Sequence, residues 1–189
     1  MATYSTTDFR KNLKIAYNDE PWVILEAQHV KPGKGVAFVK TRMRNLITGR
    51  VLEKNFRSGD SVEDPEVTDR EMQYLYTDGT QYTFMDNANY EQVEIQAEAL
   101  EEQIKFLTEN LSVQILFWKG RPINIDLPNH IVMEVTSAPP GVKGDTATGA
   151  TKPVTVETGA EINVPLYIKE GEKIKVDTRT GEFVERVNE

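Results

Sequence analysis

Turn-forming residues divide this chain into apolar runs of about four to nine residues, too short for a helical bundle, and that spacing constrains the fold most. Residues 13–17 run into Asn18-Asp19, and residues 22–28 run into Pro32-Gly33-Lys34-Gly35. Residues 36–44 meet Asn45-Leu46-Ile47-Thr48-Gly49, and residues 51–56 stop before Ser58-Gly59-Asp60-Ser61. Such runs predict a small β-barrel over the first third of the chain. Next, residues 72–77 and 81–85 flank Asp78-Gly79, a pair favoured in type I′ hairpin turns. Leu100, Ile104 and Leu107 recur at helical spacing, so a helix is expected over 97–108, with Glu98, Glu101, Glu102 and Lys105 on its solvated face. Strands follow at 113–118 and 122–125, and several strands with one short helix between them fit a five-stranded OB barrel. Further strands are expected at 131–135, 154–156, 162–164, 174–176 and 183–187. Charge and turn chemistry place the domain boundaries after residues 64 and 128, giving segments 1–64, 65–128 and 129–189.

Composition narrows the setting. The chain has no cysteine, which removes disulfides and thiolate metal sites and suits a reducing compartment. No basic-then-apolar leader is visible at residues 1–8, and runs such as Ile115-Leu116-Phe117-Trp118 are too short to span a bilayer. A soluble, cytoplasmic protein without membrane contact is expected. The net charge of −8 is unevenly spread. Residues 1–64 hold 11 Lys and Arg against 8 Asp and Glu, residues 65–128 hold 4 against 12, and residues 129–189 hold 7 against 10. Within 31–57, Lys31, Lys34, Lys40, Arg42, Arg44, Arg50, Lys54 and Arg57 face only Glu53. One basic lobe beside an acidic one is the polarity expected of a protein that meets phosphates on one side. A basic face on an ordinary soluble domain reads equally well from charge alone.

At the centre of that lobe stands Val30-Lys31-Pro32-Gly33-Lys34-Gly35. Pro32 fixes its φ and the glycines open backbone angles closed to other residues, so this is a tight hairpin tip bearing one long cation, Lys34. Enzyme chemistry finds little footing. His29 and His130 fall in different segments, and no His-Glu-x-x-His or Gly-x-Ser-x-Gly occurs. The carboxylates of Glu94, Glu98, Glu101 and Glu102 read as a solvated face rather than metal ligands. Gly144-Asp145-Thr146-Ala147-Thr148-Gly149-Ala150-Thr151 has the glycine spacing of a phosphate-binding loop, but Ala150 stands where the lysine is needed. No cofactor is expected. What remains is a nucleic-acid binder that follows a phosphate backbone without reading bases. The loop at 144–151 is a second candidate contact.

At this point the sequence resembles bacterial elongation factor P along essentially its full length. The resemblance is carried by Asp8-Phe9-Arg10, the tip 30–35, Leu46-Ile47-Thr48-Gly49, Tyr74-Leu75-Tyr76 with Asp78-Gly79, Gly144-Asp145-Thr146, and Lys152-Pro153. It is most specific from Gly159 through Val164-Pro165-Leu166 and Gly171-Glu172 to Asp177-Thr178-Arg179 and Gly181-Glu182. It implies an all-β protein of three small barrels, an SH3-like barrel of KOW type followed by two OB-type barrels, in a tRNA-like outline. It also implies a non-enzymatic, monomeric factor that binds both ribosomal subunits between the peptidyl and exit sites and relieves stalling at consecutive prolines. Lys34 matches the family's modified tip lysine, the target of a lysyl-transferring enzyme. Lys31, Pro32, Gly33 and Gly35 would flank the acceptor end of peptidyl-tRNA, and Lys40, Arg42 and Arg44 would contact RNA. Gly144, Asp145 and Thr146 match a loop near messenger RNA in the exit site, and Phe183 and Arg186 are further RNA contacts. Phe183 stands where the family often has tyrosine, so a phenolic hydrogen bond would be absent. The alternative reading is a general OB-fold single-stranded nucleic-acid-binding protein.

Overall fold

Sixteen short strands form four antiparallel sheets in the computed structural model, which describes residues 2–141 and 149–188. The protein is all-β. A small pair, β1 (Thr3–Ser5) with β6 (Ser61–Glu63), ties the chain's start to the end of its first third, and the Tyr4 hydroxyl donates to Asp64 at 2.8 Å beside it. The main first sheet runs β2 (Lys14–Tyr17), β3 (Glu20–Val30), β4 (Phe38–Asn45) and β5 (Val51–Arg57) in sequence order. Alternation along β4 buries Val39, Thr41, Met43 and Asn45 and leaves Lys40 and Arg42 exposed, with Arg44 partly so. Ile15, Trp22, Ile24 and Phe56 pack with them, and Phe9 meets Phe56 edge-on at 5.1 Å.

The other two sheets share one strand order. The second comprises β7 (Thr68–Thr77), β8 (Gln81–Met85), β9 (Gln92–Gln96), β10 (Ser112–Trp118) and β11 (Arg121–Asp126), ordered β11-β10-β7-β8-β9. The third comprises β12 (His130–Ser137), β13 (Thr151–Val156), β14 (Glu161–Pro165), β15 (Lys173–Asp177) and β16 (Glu182–Val187), ordered β14-β13-β12-β15-β16. In each, the first strand sits centrally and the third and fifth lie alongside each other, curling the sheet. Sequence comparison of the two segments shows no repeat, because this topology needs only apolar alternation, which many residue sets provide.

Three expectations change. The helix expected over 97–108 is replaced by two short 3₁₀ turns, Ala97–Leu100 and Ile104–Phe106. Leu100 and Leu107 enter the second core, while Phe106, 2% exposed, enters the third. A regular helix would point Phe106 away from Ile104 and could not serve two cores at once, so the segment breaks. Glu94 lies on β9, an unforeseen strand, rather than on a helix face. At Asp78-Gly79 only Gly79 has positive φ, +95°, so the turn is not type I′. The Asp78 carboxylate instead accepts from the backbone N–H groups of Thr80 and Gln81, both at 2.8 Å, which sets the turn from its side chain.

Because Phe106 fills a core that its own sheet does not build, Phe106→Ala should destabilise the protein by about 3–5 kcal/mol. Chemical denaturation followed by tryptophan and tyrosine fluorescence measures it. A loss below about 1 kcal/mol would show that the ring is not integral to the third core.

Candidate nucleic-acid interface

β3 and β4 remain paired to their ends, Val30 opposite Phe38, so residues 31–37 form the end of the hairpin. Lys31, Pro32, Gly33, Lys34 and Gly35 are all exposed. Gly35 has φ +114°, an angle L side chains rarely adopt, whereas Gly33 does not use a positive φ. Gly33 contributes space instead, with nothing within 4 Å of where a Cβ would stand. Among the described residues the Lys34 ammonium has no hydrogen-bond or ion-pair partner. The tip therefore holds a long cation clear of the protein.

The face behind it is less uniform than its composition. A bulge at Leu25, where the register shifts between Ile24 and Glu26, sets Glu26 opposite Arg42, and β5 sets Glu53 on Arg42's other side. Arg42 thus lies between two carboxylates, 3.9 Å from that of Glu26. Lys40 stands between Gln28 and Asn55, and Arg44 between Val23 and Val51, so neither has a carboxylate directly across the sheet. Lys54 points to the other face, over the rings of Tyr17 and Phe56 at 5.2 and 5.5 Å. Arg42 and Arg44 overlook a cleft of about 480 Å³ shared with Lys105 of the second segment and Arg179 of the third. The predicted basic residues thus divide: Lys31 and Lys34 sit at the tip, Lys40 sits along β4 behind it, and Arg42 and Arg44 border this cleft.

In the third segment, Gly144, Asp145 and Thr146 lie outside the described residues. One flank of their loop is fixed by Lys152, which is 8% exposed and donates to the Pro139 carbonyl at 2.7 Å. Phe183 is half-buried and packs against the third core. Arg186 is exposed, 3.5 Å from Glu172, and its guanidinium lies 5.6 Å from the ring centre of Tyr167. Tyr167, 56% exposed, is the aromatic surface that sequence reading missed. Only its place in an apolar stretch without strand alternation hinted at an outward ring. The histidines stay apart in separate sheets: His29 Nε2 lies 3.3 Å from the Phe9 carbonyl, and His130 Nε2 lies 3.7 Å from Asp177. Among the described residues no three His, Cys, Asp or Glu side chains could hold a metal ion, and no helix is long and apolar enough to cross a membrane.

Comparison with known proteins places this geometry. The model of the elongation factor P KOW-like domain matches residues 5–62, that of the elongation factor P OB domain matches 67–125, and that of the elongation factor P C-terminal domain matches 131–186. The chain belongs to the elongation factor P family. Its all-β fold is therefore a KOW-like domain followed by OB-type domains, and by membership it is a translation elongation factor. It is 47% identical over 183 residues to elongation factor P of Pelotomaculum thermopropionicum, covering 97% of this chain and 99% of that protein. Against elongation factor P of Finegoldia magna it is 49% identical over 180 residues, covering 95% and 97%. Among solved structures, eukaryotic translation initiation factor 5A from Methanococcus jannaschii aligns at 20% identity and a TM-score of 0.48, over 67% of this chain and 92% of that one.

The turn after β15 carries the strongest electrostatic perturbation at this interface. Arg179 holds Asp177 through its Nε and Nη2 at 3.1 and 2.9 Å, and its backbone N–H donates at 2.8 Å. These hydrogen bonds lower the Asp177 carboxyl from 3.8 to about 2. The folded value lies below the unfolded one, so the stabilisation is complete above about pH 4 and is lost as pH falls through about 2. A carbon-detected NMR titration should give an Asp177 midpoint near 2, and Arg179→Ala should return it toward 3.8. A wild-type midpoint near 3.8 would contradict the assigned contact.

Proposed function

We propose that this protein binds the ribosome between the peptidyl and exit sites and promotes peptide-bond formation at consecutive prolines, with Lys34 holding the acceptor end of peptidyl-tRNA. The observation carrying this reading is Lys34 on an exposed tip, without a partner among the described residues, in a chain of this family. Proline reacts poorly because its ring restricts the backbone on both sides of the new bond. A factor that orders the acceptor end lowers the entropic part of the barrier and leaves the bond-making to the ribosome. The factor itself is not an enzyme.

An ammonium on a flexible stem suits this task, since it meets phosphate and sugar oxygens without demanding one geometry. A lysyl-transferring enzyme would lengthen Lys34 further and add donors. Lys31, Pro32, Gly33 and Gly35 would border the RNA, with Lys40 following its backbone. Arg42 and Arg44 would meet RNA across the cleft, and Arg186 with Tyr167 or Phe183 would do so on the third domain. Gly144, Asp145 and Thr146 would lie near messenger RNA. Residues 1–64, 65–128 and 129–189 would act as three domains of one cytoplasmic monomer, with the acidic middle domain turned toward ribosomal protein or solvent.

Reconstituted translation of a proline-run message tests the central role. Lys34→Ala should lower the rate of proline–proline bond formation by at least about tenfold, while messages without proline runs keep their rate. Equal relief of stalling by both proteins would sink the assignment. Mass spectrometry of the tip peptide from the native host should show Lys34 carrying an added lysyl group, and an unmodified peptide would refute the extension.

A further inference from the structure

The turn joining β4 to β5 is where the tip-bearing sheet meets the second domain. Inside the turn, the Asn45 Oδ1 accepts from the N–H groups of Ile47 and Thr48 at 2.8 and 3.0 Å, and Asn45 Nδ2 donates to Glu20. The Gly49 N–H closes it onto the Asn45 carbonyl at 2.9 Å. Asn45 is 2% exposed, so the turn is a stiff unit rather than a loose connection.

Asn124 on β11 receives that unit. It is fully buried, and its Nδ2 donates to the carbonyls of Leu46 and Ala99, each at 3.0 Å. Its Oδ1 accepts from the Ile125 N–H at 2.8 Å and from Gln103 Nε2 at 3.1 Å. Both donors and both acceptor positions of one carboxamide are thus in use, joining the first domain's turn, the 3₁₀ turn and β11. Aspartate would lack the donors, and leucine would strand two buried carbonyls. Beside it, Gly49 has φ +77°, and a Cβ there would stand 2.7 Å from the Glu98 carbonyl oxygen, so the two backbones touch. Leu46, Leu116 and Ile123 seal the contact with apolar surface.

We infer that Asn124, with Gly49, is a positioning latch that fixes the angle of the first sheet on the second domain and thereby the location of Lys34. The inference rests on the reading of Lys34 given above. β4 runs from this turn at Asn45 to the tip at Phe38, a lever of about 25 Å at ~3.3 Å per residue. A tilt of about 10° at the latch moves the tip by roughly 4 Å over that length. Displacements of about 1 Å already cost about a hundredfold where a reacting geometry must be held. A loose junction would therefore leave Lys34 exposed and intact yet ineffective.

The test uses the whole chain, which has no native cysteine to interfere with labelling. Nitroxides are attached to Asn55→Cys and Asn87→Cys, both exposed, and double electron–electron resonance distances are compared for wild type, Asn124→Leu and Gly49→Ala. Ribosome binding and proline-run synthesis are measured on the same variants without labels, beside Lys34→Ala. The expected result is a single narrow distance in wild type and a broadened or shifted one in both variants. Maximal proline–proline synthesis should fall at least about tenfold, with the half-saturating factor concentration within about threefold of wild type. Gly49→Ala leaves the Asn124 hydrogen-bonding groups in place, so it keeps the test valid if Asn124→Leu fails to fold. Unchanged distances in a folded variant would overturn the latch. Broadened distances with full synthesis, while Lys34→Ala is defective, would overturn its positioning role. Full synthesis by Lys34→Ala would instead refute the reading of Lys34, and the distance measurement would still judge the latch.

Discussion

The carbonyls of Leu46, in the β4–β5 turn, and Ala99, in the first 3₁₀ turn of the second domain, meet on one buried carboxamide, and in the proposed reading the use of the tip depends on that junction. Each sheet alone encloses a small core, and domains of this size bury too little surface to be strongly stable in isolation. The chain responds by sharing residues between neighbours. Leu46 of the first domain packs with Leu116 and Ile123 of the second, and Phe106 of the second completes the core of the third. Apolar sharing holds domains together but does not by itself fix an angle, because it is non-directional. The four hydrogen bonds at Asn124 and the backbone contact at Gly49 supply direction.

Charge is organised on the same frame. The basic lobe is not an even patch. Register places Glu26 and Glu53 beside Arg42, while the residues directly opposite Lys40 and Arg44 are uncharged. Lys34 sits beyond all of them, without a partner among the described residues. Exposed charges attract over about 8 Å at physiological salt, so the cation at the tip acts on what lies directly against it. Reach and aim therefore matter more than the total charge of the lobe. The second domain is acidic by contrast, with net −8 over residues 65–128.

Much of the architecture was legible because strands, turns and the tip are local features. Pro32, Gly33 and Gly35 mark a hairpin end wherever they fall between apolar runs, and β8 occupies the residues its pattern predicts. Which side of β4 carries Lys40, Arg42 and Arg44 emerged only with the strand's burial pattern. What failed required knowledge of neighbours. The spacing of Leu100, Ile104 and Leu107 is helical, yet Phe106 is claimed by another core and the helix does not form. β1, β6 and β9 were overlooked because two have only three residues and the third is mostly polar. The bulge at Leu25 and the role of Asn124 leave no sequence signal, since both arise only when distant segments meet. Of the candidate site, the tip was readable as a tip. The division of its basic residues between tip and cleft was not.

On the proposed reading, a stiff sheet set at a fixed angle would deliver one cation to the acceptor end of peptidyl-tRNA. Cryo-electron microscopy of this protein on a ribosome stalled at consecutive prolines tests that most directly. The predicted map shows the Lys34 side chain against the sugar-phosphate backbone of the acceptor end, with the β4–β5 turn still seated on Asn124. A map in which the tip faces ribosomal protein or solvent, away from peptidyl-tRNA, would contradict it.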